Sequence, residues 1–96
     1  MLEQKPINEA TKRIIADNFT NTELGLVRIA RNLGLQALST NDLIAHCRTI
    51  IQMTPIDDVE VRGKNYYFHS FEYSTVLTIN RTSLGIITAK PLVSKT

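Results

Sequence analysis

Apolar residues recur at a helical interval in the first half of the chain and at every second position in the second half. Between residues 7 and 19, Ile7, Ala10, Ile14 and Ala16 stand near helical periodicity among polar neighbours, which predicts an amphipathic helix. Asn18 and the run Thr20-Asn21-Thr22 break it. Thr22 is then a candidate N-cap, with Glu23 placed at the positive end of a helix dipole. Leu26, Ile29, Ala30 and Leu33 follow as an i, i+3, i+4, i+7 stripe, with Arg28 and Arg31 beside it, and Gly34 supplies a stop. Ser39-Thr40-Asn41-Asp42 is a dense helix-start signal in which Thr40 is the expected cap. The third helix buries Leu43, Ile44, Cys47, Ile50 and Ile51, and Pro55 prevents its continuation.

Past Pro55 the period becomes two. Val59 and Val61 alternate with Glu60 and Arg62, and Gly63-Lys64-Asn65 reads as a turn. Residues 66–70 form a second strand, and a short connection around Phe71-Glu72 leads to a third at 73–80. Asn80-Arg81-Thr82-Ser83 is another turn, before a fourth strand at 84–90 closed by Pro91. Tight connections predict antiparallel pairing. The fold class is therefore α+β: about three N-terminal helices, at about 7–53, packed on one face of a four-stranded antiparallel β-meander at about 58–90. Residues 1–96 make one domain, with a frayed tail at 93–96.

Five of the six aromatic residues, Tyr66, Tyr67, Phe68, Phe71 and Tyr73, fall within eight positions. Side chains alternate across a strand, so Tyr66 and Phe68 face one side of the sheet and Tyr67 the other. One aromatic row fills the core; the other meets water, a partner or a ligand. Leu77, Ile79, Ile87 and Ala89 are assigned to the core. The open face then carries Thr78, Asn80, Thr88 and Lys90, joined across the sheet by Tyr67, His69, Glu60 and Arg62.

Charge changes the picture little. The net charge of +2 comes from 11 basic and 9 acidic residues, spread evenly over both halves, so bulk charge gives nucleic-acid binding no support. Cys47 is the only cysteine, which excludes a disulfide framework and a cysteine-rich metal site and predicts a buried, unreactive thiol. No apolar run approaches the ~20 residues of a membrane span, and residues 1–6 lack a signal-peptide core, so the expected location is the cytoplasm.

The chemistry on offer is sparse. His46 and His69 are the only imidazoles, with no carboxylate spacing that suits a metal, and no cofactor is expected. An imidazole is suited to general acid–base work, which makes His69 the candidate for that role. Arg62-Gly63-Lys64 places two cations on a hairpin, suited to a phosphate or to plain solvation.

Several segments resemble a small bacterial family of similar-length proteins that carry only the label of a domain of unknown function. These are Thr22-Glu23-Leu24-Gly25, Arg28-Ile29, Arg31-Asn32-Leu33-Gly34-Leu35, Gly63-Lys64-Asn65-Tyr66-Tyr67, Thr78-Ile79-Asn80 and Ile86-Ile87-Thr88-Ala89, within residues 20–90. The resemblance implies a bacterial origin and no activity. A looser similarity in architecture is to barnase-like ribonuclease-toxin domains, which also work from the open face of an antiparallel sheet with basic, histidine, hydroxyl or acidic residues; that similarity implies His69, Arg62, Thr88 and Lys90 as the candidate catalytic residues by type.

Three readings follow. The first is a non-catalytic interaction module acting through the open sheet face and the aromatic hairpin, as a homodimer or with a protein partner. Its interaction residues are Tyr67, His69, Phe71, Tyr73, Thr78 and Asn80. The second is an RNA-acting, ribonuclease-toxin-like enzyme using the same face. The third is a small-ligand-binding domain with a pocket between the sheet and Arg28 and Arg31.

Overall fold

The computed structural model describes residues 7–92, so the tail at 93–96 lies outside the described residues. Three helices come first: α1 (Glu9–Asn18), α2 (Glu23–Leu33) and α3 (Thr40–Met53). A short 3-10 turn (Ile56–Asp58) leads to β1 (Val59–Arg62), β2 (Asn65–Ser70), β3 (Thr75–Asn80) and β4 (Ile86–Pro91). The four strands pair antiparallel in sequence order, giving the expected α+β meander.

Each helix start satisfies an otherwise unpaired backbone N–H with a side-chain oxygen. Asn8 Oδ1 accepts from the Thr11 amide at 2.8 Å and Thr22 Oγ1 from the Gly25 amide at 3.0 Å. The α3 cap is Ser39, one residue ahead of the expected Thr40: Ser39 is extended and its Oγ accepts from the Asp42 amide at 3.1 Å, whereas Thr40 is already helical. At the other end of α2, Gly34 takes φ +69°. Its N–H reaches Arg31 O, and the Leu35 N–H reaches Ala30 O at 2.7 Å, which is a Schellman stop.

The inward face of α1 and its flanks is the expected one at Ile7 and Ala16 but not at Ala10 and Ile14. Ile7, Ile15, Ala16 and Phe19 are buried, while Ala10 is exposed and Ile14 is 55% exposed. Packing against α3 decides this rotation, because the two helices cap each other. Lys12 Nζ donates to the carbonyls of Gln52 and Thr54 at 3.1 Å, at the negative end of α3. Arg48 Nε donates to Ala16 O at 3.0 Å, near the end of α1, with its guanidinium over the Phe19 ring. Cations so placed favour the helix dipole by ~0.3–1 kcal/mol each. The pairing fixes α1 and α3 antiparallel.

The core lies between the helices and one sheet face. Val59, Phe68, Leu77 and Ala89 stand in register across the four strands, all essentially inaccessible. Above them sit Leu26 and Ile29 of α2 and Leu43, Cys47, Ile50 and Ile51 of α3. Asn32 of α2 donates to Ala89 O at 3.2 Å and ties that helix to β4. Thr20 extends the sheet by a parallel bridge to Gly85, through Thr20 N–H to Leu84 O and Ile86 N–H to Thr20 O.

Four strand details depart from expectation, the first being that β4 begins at Ile86 rather than residue 84 and includes Pro91. Ile87 is 46% exposed rather than core: an irregularity beside Thr78 and Ile79 pairs Thr78 with Thr88 and Ile79 with Ile86, leaving Ile87 as an extra residue in β4. Asn65 belongs to β2, and the turn is the two residues Gly63 and Lys64, with Gly63 at φ +59°. Tyr73 and Ser74 stay in the β2–β3 connection, where Ser74 has φ +50°, so β3 begins at Thr75. Among the described residues no helix is long and apolar enough to cross a membrane.

Candidate interaction surface

The two-residue turn at Gly63 and Lys64 sets the β1–β2 register, and the register assembles the open face. Arg62 pairs with Asn65, and Glu60 pairs with Tyr67. The rows continue through β3 and β4 as Glu60–Tyr67–Thr78–Thr88 and as His69–Val76–Lys90. Tyr67 thus points away from Tyr66 and Phe68, whose rings meet edge to face on the core side at 6.4 Å.

At the β1–β2 end, one carboxylate organises the side chains. Glu60 Oε1 lies 3.3 Å from His69 Nε2, and Glu60 Oε2 lies 3.3 Å from Arg62 Nε. Arg62 Nη2 also donates to Glu60 Oε1 at 3.5 Å. The Arg62 guanidinium lies over the Tyr67 ring, 4.4 Å from its centroid, a cation–π geometry. Glu60 and His69 are diagonal neighbours on paired strands, near enough for long side chains to meet. A shallow cleft of about 240 Å³ runs beside them, bordered by Asp57, Asp58, Glu60, His69 and Phe71. Phe71, in the turn after β2, is 66% exposed.

The remaining expected site residues have other surroundings. Thr78 is only 5% exposed, in the row between Tyr67 and Thr88. The Asn80 side chain is engaged in the next turn: its Oδ1 accepts from the Thr82 and Ser83 amides, both at 2.9 Å, and from Ser83 Oγ. Tyr73 turns towards α3 and meets the edge of the His46 ring at 5.5 Å. Thr88 and Lys90 lie on β4, two strands from His69 and Tyr67, about 10 Å at the usual spacing. The structure therefore brings Arg62 and His69 together through Glu60 and holds Thr88 and Lys90 apart from them.

Glu60 is the residue that type-based reasoning passed over as a site member. Its signal lies in the hairpin: a two-residue turn after Arg62 puts Glu60 opposite Tyr67 and diagonal to His69. Arg28 and Arg31 are exposed, while Leu26, Ile29 and Ala30 of the same helix are packed in the core. The space between α2 and the sheet is thus filled, and the arginines line no pocket there. Among the described residues no group of His, Cys, Asp and Glu is placed to hold a metal ion.

No curated protein and no solved structure matches the chain. One family model does, over residues 13–90, a span that runs from α1 to β4. The chain belongs to the family described as Protein of unknown function (DUF3781).

Proposed function

We propose that the protein is a non-catalytic interaction module that self-associates through the β1–β2 end of its open sheet face. The observation that carries this reading is the outward Tyr67 under the Arg62 guanidinium, in one band with Glu60, His69 and the exposed Phe71. Tyr and Arg are enriched among residues that dominate binding, and Phe is favoured at interface cores. The cleft of about 240 Å³ beside His69 is smaller than the ~300–1,000 Å³ typical of small-molecule sites. A two-fold contact would place Glu60 and Arg62 of each copy within reach of their opposites, with the aromatic rings between.

Sedimentation of the wild-type chain from micromolar concentration upward tests the reading. The expected result is a dimer that Tyr67→Ser and Phe71→Ser weaken, each by more than it destabilises the monomer. A monomer at every concentration removes self-association.

The Glu60–His69 contact favours one second reading, an RNA-acting enzyme on the same face. There the pair would exchange a proton with substrate while Arg62 neutralises a phosphate. Thr88 and Lys90, two strands away, would hold the strand rather than touch the reacting atoms. Cleavage of a labelled RNA oligonucleotide that disappears in His69→Ala would support this reading over the first.

A further inference from the structure

Charge changes sign across Val61. Asp58 and Glu60 precede it, and Arg62 and Lys64 follow it at the same distances along the chain. Val59 faces the core, so alternation sends Glu60 and Arg62 to the open face. Asp58 borders the shallow cleft beside Glu60, His69 and Phe71, and Lys64 is exposed in the β1–β2 turn. Glu60 is engaged by Arg62 and His69, whereas among the described residues Asp58 and Lys64 form no ion pair. The rest of the sheet continues the division. Residues 61–68 and 79–86, around the two turns at one end, hold Arg62, Lys64 and Arg81 and no carboxylate. Arg81 N–H donates to Lys64 O at 2.8 Å and Arg81 Nη1 to Gly63 O at 3.1 Å, which holds those turns side by side. The other end of the β1–β2 hairpin carries Asp57, Asp58, Glu60 and Glu72.

We infer that a second copy of the chain packs face to face on this part of the sheet, about a two-fold axis lying across the strands at the Val61–Tyr66 row. The inference rests on the self-association proposed above and fixes its geometry. Rotation about such an axis keeps position across the strands and reverses direction along them. Glu60 therefore meets the partner's Arg62, and Asp58 meets the partner's Lys64, each contact occurring twice. An axis along the strands would set cations on cations and carboxylates on carboxylates. A partner of one charge sign would suit half of this surface and be repelled by the other half; a second copy carries both. At the usual ~10 Å between packed sheets, Tyr67 and the Arg62 above it occupy the middle of the contact. The exposed Phe71, at the cleft, is covered by the methylene stem of the partner's Lys64. Pairing of two β1 edges about Val61 suits the backbone less, because Gly63 at φ +59° leaves the extended region and ends the ladder after Arg62.

The test is sedimentation equilibrium of the wild type, Lys64→Glu, Asp58→Lys, the double variant, and an equimolar mixture of the two single variants. Each single variant sets like charges opposite one another at both ends of the contact. Its dimer dissociation constant is expected to rise at least about fivefold. The double variant exchanges the two signs and associates like the wild type. The mixture also recovers, as a heterodimer in which both pairs are again opposite. Neither residue is buried, so the urea midpoint of each variant, read where the chain is monomeric, stays close to that of the wild type. Single variants that associate as the wild type does, or a loss that neither the double variant nor the mixture reverses, overturn this geometry while the wild type remains a dimer. A wild type that is monomeric at every concentration removes self-association itself, and this geometry with it.

Discussion

Raising the pH should weaken the fold through a single buried thiol. Cys47 is 0% exposed, in the inward stripe of α3 with Leu43, Ile50 and Ile51. Burial pushes its thiol from 9.0 up to about 11, because a thiolate there would lose its hydration. In the unfolded chain the thiol ionises near 9.0; in the folded chain it keeps its proton until about 11. Between those values the unfolded state binds fewer protons, so stability falls with rising pH. The contribution is whole below about pH 9 and lost progressively towards pH 11, by about 3 kcal/mol at most at 1.36 kcal/mol for each tenfold change. Other effects of alkaline pH are common to the wild type and a thiol-free variant, so the informative quantity is a difference. Urea unfolding of the wild type and of Cys47→Ala, each followed from about pH 8 to 11 at constant ionic strength, isolates it. The wild type loses stability faster than the variant, and the gap between them changes in the variant's favour over that interval. Parallel curves would refute the burial argument, as would thiol labelling of the native protein at the rate of the unfolded chain.

The two phenylalanines near the end of β2 should behave as opposites, because one is inaccessible in the core row and the other is 66% exposed in the turn. Phe68→Ala should cost about 3–5 kcal/mol by chemical denaturation, and Phe71→Ala should stay within about 0.5 kcal/mol. Ser39→Ala should cost about 0.5–2 kcal/mol through loss of the oxygen that accepts from the Asp42 amide, and Thr40→Ala much less; the reverse order in urea midpoints would move the cap. At the open face, Tyr67→Ser should lower the sedimentation-derived association constant while leaving the monomer's unfolding midpoint nearly unchanged.

The elements and their order were legible because each rests on local rules. The stripe Leu26, Ile29, Ala30 and Leu33 can bury one face only as a helix, and Gly34 meets the left-handed angle that its stop requires. Alternation from Val59 to Arg62 and from Tyr66 to Ser70 sorts side chains between two faces, so the opposite directions of Phe68 and Tyr67 follow from chain geometry alone. What local rules leave open is where an element meets another. Both Ile14 and Ile15 suit a helix, and the contacts with α3, including Lys12 on its last carbonyls and Arg48 on Ala16, turn Ile15 inward. Period two predicts Ile87 inside, but the extra residue in β4 reverses its neighbourhood, and such an insertion is defined only by the pairing partner. The site divides in the same way. Side-chain chemistry named Arg62, His69, Thr88 and Lys90 as equals. Strand register, a property of the whole sheet, gathered the first two around Glu60 and left the other two a pair of strands away.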